Sequence, residues 1–369
     1  MSGTRADFGK LEPLARTASD AGHKVTFFVT GMHTLTKYGL TKQEVHHQSR
    51  FSVTEFINQR QDDPPDIVLA KTMVGFSDYL QENVPDLVII HGDRVEAVAA
   101  ALVCATNNIR SAHVEGGEVS GTIDEVYRHC NTKLCTYHLV SSPEAAQRIQ
   151  AMGEERSRIK IIGSPELDVH GRASGVSLEK VLARYEIATR DYGIAIFHPV
   201  TSERATIGRQ AETLFATLAA SKRFFVVIMP NNDPGASDIE AVLNKLPPEQ
   251  FRTLPSMRFA YFSELMKHAK VVVGNSSVGV REAPFLGVPS LDIGTRQTNR
   301  AASPSIHHCE AQDVDSIRAF LESSWGKKSR RDAAYGHGTA SEAFKNLLED
   351  STFWEVSLQK TFVDNVQEK

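Results

Sequence analysis

Cysteine is scarce: four residues in 369, at 104, 130, 135 and 309, with no spacing that suits a disulfide framework or a zinc site. Cys130 and Cys135 lie five apart on one expected helix and point to different faces, so reduced thiols are expected. No apolar run reaches the roughly 18 residues that a membrane span needs. The opening MSGTRADFGK holds no apolar core of a signal peptide, and a cytoplasmic location is expected. Nor is there a basic excess. Lys and Arg number 41 against 45 Asp and Glu, for a formal charge of -4, which removes the global positive field that nucleic-acid binding draws on. His46-His47 and His307-His308-Cys309 are adjacent in sequence, and neighbouring side chains of an extended chain diverge, so no metal site is expected.

What is present is the composition of a globular protein, 41% hydrophobic and 23% charged, long enough for two cores. Apolar runs alternate with amphipathic stretches. VTFFVT (25–30), DLVIIHGD (86–93), IRSAHVE (109–115), HLV (138–140) and IKIIG (159–163) read as buried parallel strands, short and β-branched. GKLEPLARTASDAG, RVEAVAAALVCATNN and PEAAQRIQAMG have apolar residues at helical spacing and a Gly or Asn stop. The pattern pauses over 172–191 and restarts with YGIAIFHP, RFFVVIMPNND, KVVVGNSS and VPSLDIG. The reading is α/β, with two doubly wound units: residues 1–171, residues 172–350, and a C-terminal helix over 351–369 that returns to the first unit. Phe353, Trp354, Val356, Leu358, Phe362 and Val363 give that tail an apolar set in need of a partner. A doubly wound unit begins with a strand before its first Gly-containing loop. Here Gly3 has only Met1 and Ser2 ahead of it, so the first strand is expected to be missing.

Charged, hydroxyl and amide residues gather where strands are expected to end, the place where open α/β sheets bind ligands. They include Arg5, Asp7 and Lys10; His91, Asp93 and Arg94; His113, Glu115, Asp124 and Arg128. The second half supplies His198, Asn231, Asn232, Asn275, Ser276, Ser277, Glu282, Arg296 and Arg300. Each has a plainer explanation. Asp93 or the serines of GNSS could be ordinary helix caps, the glycines of HVEGGE a turn, and His198 a structural histidine. GNSS could equally offer N–H and hydroxyl groups to a phosphate. Arg, Glu and His recurring together at the strand ends of both units exceed what capping requires.

GTRADFGKL, TGMHTLTKYG, IIHGDRVEA, HVEGGEVSGTIDE, IIGSPELDV, FHPVTSE, PNND, GNSSVGVREAP and GTRQTNR occur in this order along about 300 residues. This series resembles the hydrolysing UDP-N-acetylglucosamine 2-epimerases of bacterial sialic acid synthesis and the epimerase half of the bifunctional animal enzyme. The resemblance implies a GT-B-like fold of two Rossmann-like domains, an active site in the interdomain cleft, a UDP-binding second domain, and neither metal nor cofactor. It implies Asp93, Glu115, Asp124 and His198 as catalytic residues. It implies Arg5, Lys10, Arg94, Asn231, Ser276, Ser277 and Glu282 as UDP-sugar ligands.

The chemistry suits these residue types. Elimination of UDP across C1–C2 of a UDP-N-acetylhexosamine needs a base near C2 and cationic or N–H support for the leaving diphosphate. Water then adds to the glycal with C2 inverted, giving N-acetylmannosamine and UDP. A sister group acts on UDP-2,4-diacetamido-2,4,6-trideoxy sugars of legionaminic acid synthesis and shares nearly all these motifs. A GT-B glycosyltransferase or a non-catalytic UDP-sugar binder are further alternatives. Apolar helices such as VEAVAAALVCA (95–105) lead to the expectation of a homodimer or homotetramer.

Overall fold

Short apolar runs become parallel strands, most of them leading into a helix, in a computed structural model that describes residues 1–36, 40–60, 63–120, 123–172, 175–230, 233–300 and 303–364. The chain forms two units. The first comprises Met1–Glu118, Asp124–Asp168 and Tyr335–Lys369; the second comprises Val119–Ile123 and Val169–Ala334.

The first unit carries β1 (Thr26–Val29), β2 (Ser52–Glu55), β3 (Val88–His91), β4 (Ser111–Val114), β5 (Tyr137–Val140) and β6 (Ile159–Ile161). β1 pairs with β2, and β3 to β6 form a parallel sheet in sequence order. Met1 and Ser2 lie between the two sheets. Ser2 N donates to Phe28 O and Ser2 O accepts from Thr30 N, both at 3.0 Å, while the Met1 amine donates to Ile89 O at 3.0 Å. The slot expected for a leading strand thus holds a single bridge, Ser2 beside Val29. The helix Arg5–Asp20 starts directly afterwards, with Thr4 Oγ1 accepting from Asp7 N.

The second unit carries β7 (Tyr192–Ile196), β8 (Phe224–Ile228), β9 (Phe251–Leu254), β10 (Val272–Gly274), β11 (Ser290–Ile293) and β12 (Ile306–Cys309). Their order is β12-β11-β10-β7-β8-β9, all parallel. This is the doubly wound order in which strand direction of travel reverses between β7 and β10, and ligands bind beyond the carboxyl ends at that reversal. Two apolar layers sandwich the sheet. One contains Phe215, Leu218 and Phe320, the other Val181, Leu265 and Met266.

The tail corrects the sequence expectation in two ways. The return to the first unit begins at Tyr335 rather than 351, because the helix Ala340–Glu349 already puts Ala340, Phe344 and Leu348 into the core with Leu11, Leu14 and Tyr137. The last helix is also short, Ser351–Glu355. Beyond it the carbonyls of Ser357 and Gln359 accept from the Arg158 guanidinium at 2.9 and 3.4 Å. Side-chain donors thus replace the backbone donors a helix would supply. Phe353 stacks on Tyr137 with ring centroids 4.2 Å apart, so the tail's main anchor sits inside the short helix.

The returning helix is capped from far away in sequence. Both oxygens of fully buried Asp168 accept N–H bonds, from Ala340 at 2.8 Å and Ser341 at 2.7 Å. Asp168→Ala is expected to destabilise the first unit by about 2 kcal/mol, since it strips a charged acceptor from two buried donors. Urea unfolding compared with wild type measures this, and a loss under about 0.5 kcal/mol would contradict the capping role.

Candidate functional site

In the first unit the chemistry-bearing side chains stand at the carboxyl ends of the strands, in two clusters. Glu115 centres one. It follows β4 in a left-handed backbone conformation, φ 65°, which is strained for a residue with a Cβ. The turn is imposed by its surroundings: Gly117, φ 74°, packs so closely that a Cβ there would lie 2.3 Å from Ala145 O. The Glu115 carboxylate is buried. Its Oε2 lies 2.9 Å from Lys10 Nζ and 3.1 Å from His91 Nε2, and its Oε1 accepts from Ser164 Oγ at 2.8 Å. His91 ends β3, and its Nδ1 lies 2.9 Å from Asp7 Oδ1. Lys10 also lies 3.7 Å from Glu166 Oε1.

Burial opposes charge on His91, but the carboxylates of Glu115 and Asp7 outweigh it and push the imidazole up to about 9. Asp7 answers in the opposite sense. Burial works against its carboxylate, yet the bond to His91 and the charges of His91 and Arg94 bring it down to about 2. Asp7 and His91 are therefore an ion pair at neutral pH.

The second cluster surrounds Arg128, which is 1% exposed. Its guanidinium forms an ion pair with Asp93, just beyond β3, and donates to Glu118 O at 3.0 Å. Asp124 opens the same helix, Asp124–Leu134. Burial works against the Arg128 charge, and Asp93, Glu118 and Asp124 more than restore it, raising its pKa. Gly92 O is fixed from two sides, by His113 Nε2 at 2.7 Å and Asn131 Nδ2 at 3.0 Å. Asp93 and Asp124 gather around Arg128, and Glu115 lies with Lys10 and His91. Arg5 forms an ion pair with Glu44, and Arg94, at the residue preceding the helix Val95–Thr106, has its Nε 3.5 Å from Glu96 Oε2.

In the second unit His198 and Ser276 lie just past β7 and β10, the two strands flanking the reversal. Asn275 ties these ends together. Its Oδ1 accepts from His198 N at 2.6 Å and its Nδ2 donates to His198 O at 2.8 Å. Gly274 makes the approach possible, since a Cβ there would sit 1.9 Å from Ile196 O. Burial, with Arg296 nearby, lowers His198 to about 3, so its imidazole is neutral at pH 7. Ser276 caps the short helix Ser277–Val280, and Ser277 is its first residue. Buried Glu282 opens the next helix, and its Oε1 lies 3.0 Å from His170 Nε2. His170 Nδ1 in turn lies 2.8 Å from Ser263 Oγ. Asn231 falls outside the described residues.

Glu166 and His170 escaped the sequence reading. Both sit in GSPELDVH, inside a stretch whose neighbours Leu167 and Asp168 are buried. An acid directly after Ser-Pro in a buried helix start was the available signal.

Residues 16–349 match the UDP-N-acetylglucosamine 2-epimerase family. The chain is 42% identical over 368 residues to a UDP-N-acetylglucosamine 2-epimerase of Neisseria meningitidis, covering 99% of this chain and 98% of that one. It is 30% identical over 368 residues, 94% of each chain, to a UDP-N,N'-diacetylbacillosamine 2-epimerase (hydrolyzing) of Legionella pneumophila. Among solved structures, a Neisseria meningitidis UDP-GlcNAc 2-epimerase bound to UDP-GlcNAc aligns with a TM-score of 0.73 and 18% identity, over 94% of this chain and 98% of that one, which establishes a shared GT-B-like fold. With the family matched across both Rossmann-like units, the chain belongs to the UDP-N-acetylglucosamine 2-epimerases.

Proposed function

We propose that this protein is a hydrolysing 2-epimerase that converts UDP-N-acetylglucosamine and water to N-acetylmannosamine and UDP, supplying sialic acid synthesis in the cytoplasm. The observation that carries the reading is the Glu115 cluster: a strained, buried carboxylate ringed by Lys10, His91 and Ser164 at the end of a parallel sheet. Such a group is positioned to move a proton. Proton removal from C2 sends the C2–H electron pair into a C1=C2 bond, and UDP leaves with the C1–O pair. Water then returns hydroxyl to C1 and a proton to C2 on the opposite face. Glu115, Asp93, Asp124 and His198 are the proposed acid/base groups. Arg5, Lys10, Arg94, Asn231, Ser276, Ser277 and Glu282 are the proposed UDP-sugar ligands, within a homodimer or homotetramer. The hydrolysing mode draws support from the Legionella relative, whose name specifies it.

Incubation with UDP-N-acetylglucosamine in heavy water, without an acceptor, is the test. Free UDP should appear in equal amount to N-acetylmannosamine, with deuterium at C2. Accumulation of UDP-N-acetylmannosamine without free UDP would overturn the hydrolysing mode. The same relative is named for UDP-N,N'-diacetylbacillosamine, so that sugar is the second reading, and a side-by-side assay of the two decides between them.

The second unit is the proposed UDP holder. A carboxylate can accept both hydroxyls of a ribose, and His170 fixes the orientation of Glu282. Glu282→Ala is expected to weaken UDP binding by about tenfold to a hundredfold, from lost hydrogen bonds to a charged group. Calorimetry with UDP alone reads the change, and an unaltered affinity would remove Glu282 from the nucleotide site.

A further inference from the structure

The contacts of Ser164 exceed what one hydroxyl can satisfy with two ionised acids. Its Oγ lies 2.8 Å from Glu115 Oε1 and 2.6 Å from Glu166 Oε2. A serine hydroxyl has one proton to donate and lone pairs to accept with. If it donates to one carboxylate, the other oxygen at hydrogen-bond distance must bring a proton of its own, or two lone pairs collide. Both acids are held in place. Glu166 is fully buried at the start of the helix Pro165–Gly171, and Lys10 Nζ stands 2.9 Å from Glu115 and 3.7 Å from Glu166.

We propose that Ser164 and Glu166 form a one-proton relay behind Glu115, which lets Glu115 stand either as a carboxylate base or as a carboxylic acid without exchanging its proton with solvent. In one arrangement the Glu166 O–H donates to Ser164 Oγ, and the Ser164 O–H donates to the Glu115 carboxylate. In the other, the Glu166 proton has passed to Ser164 Oγ as the Ser164 proton passes to Glu115, which leaves Glu166 ionised. No charge enters or leaves. The first arrangement readies Glu115 to take a proton and the second readies it to give one. Glu166 and Ser164 act through Glu115 and are positioning residues. The catalytic part of this inference rests on the proposed acid/base role of Glu115; the shared proton does not.

Two measurements separate these parts. Difference infrared spectroscopy of the whole protein at neutral pH should show a buried carboxylic acid C=O stretch that shifts in heavy water and is lost in Glu166→Gln. That variant keeps the shape, and its amide N–H still donates to Ser164, so folding and UDP affinity should hold. Its kcat should fall by about tenfold or more, and the pH profile of kcat should lose one limb. Ser164→Ala should show the same kinetic loss, and Ser164→Thr, which restores a hydroxyl, should recover it. Absence of the band from wild type overturns the shared proton. A band present with wild-type kcat and pH profile in Glu166→Gln overturns the relay. If the protein turns over no UDP-sugar, the band still reports the proton, so failure of the enzymatic reading is told apart from failure of the relay.

Discussion

Glu115→Gln should lower kcat by about a thousandfold while leaving UDP affinity within a few-fold of wild type. The amide matches the carboxylate in size: its oxygen can take the Oε2 place and accept from Lys10, and its NH2 then takes the Oε1 place and donates to Ser164 Oγ. The amide cannot accept a proton from carbon, and that loss is chemical rather than structural. The proposed UDP ligands Ser276, Ser277 and Glu282 belong to the other unit, which is why nucleotide binding should survive. His91 gives an independent check. Glu115 is the larger of the two influences holding its imidazole near 9, so in the variant the His91 titration followed by NMR should move toward the ordinary value of about 6.5. A kcat within tenfold of wild type would take Glu115 out of the proton-transfer step.

Acid should unfold the first unit well before the second. His33, His113 and His138 are fully buried in the first unit. Burial brings His33 down to about 4 and His113 to about 3, and lowers His138. In the second unit His198 is lowered to about 3 in the same way. A histidine whose folded pKa is depressed contributes stability that is complete above the unfolded value near 6.5 and is lost as pH falls toward its folded value. Each such group costs about 1.4 kcal/mol per pH unit in that window. Between pH 6 and 5 the first unit should therefore lose stability at least about twice as steeply as the second, from His33 and His113 against His198. His91 runs the other way: its contribution is whole below pH 6.5 and disappears as pH rises through 9, so the first unit should be most stable near pH 6.5 to 7.

The two tryptophans make this measurable. Trp325 packs edge-on against Phe225 in the second unit, and Trp354 against Phe353 in the first. Trp325→Phe leaves a fluorophore that reports the first unit, and Trp354→Phe one that reports the second. Urea unfolding of each at pH 7, 6 and 5 gives the slopes. Equal slopes would mean that the buried histidines of the first unit are charged in the folded state.

Fully buried strands were the legible part of the fold. β4, β5, β7 and β11 are buried at every position; YGIAI is an unbroken apolar or small-residue run, and the others are interrupted once each, at His113, His138 and Asp292. β2 and β12 were not legible. They are SVTE and IHHC at sheet edges, largely exposed, and their backbone pairing leaves no hydrophobic signature. The site divides similarly. Glu115, Lys10 and His198 follow strands or open a helix, so their places could be read from the pattern. Glu166, His170 and the grouping of Asp93 and Asp124 around Arg128 depend on which helix packs beside which strand end, and that is a tertiary fact. The tail misled because a helical apolar pattern was satisfied after one turn by Phe353, and the Arg158 guanidinium then took over the carbonyls of Ser357 and Gln359.

The first unit is built from both ends of the chain, whereas nearly all of the second is one continuous stretch, Val169–Ala334. On a ribosome the N-terminal segment emerges first yet cannot close its core, because Phe344, Leu348 and Phe353 have not been made. The second unit can finish folding while Leu11, Leu14 and Tyr137 still await their partners. The earliest-made segment is thus the last to complete its core, and its apolar surface stays open for the time needed to translate everything between residues 169 and 353. A stop codon just after Ala334 would leave the second unit's own core complete and take Ala340, Phe344, Leu348 and Phe353 out of the first unit's core.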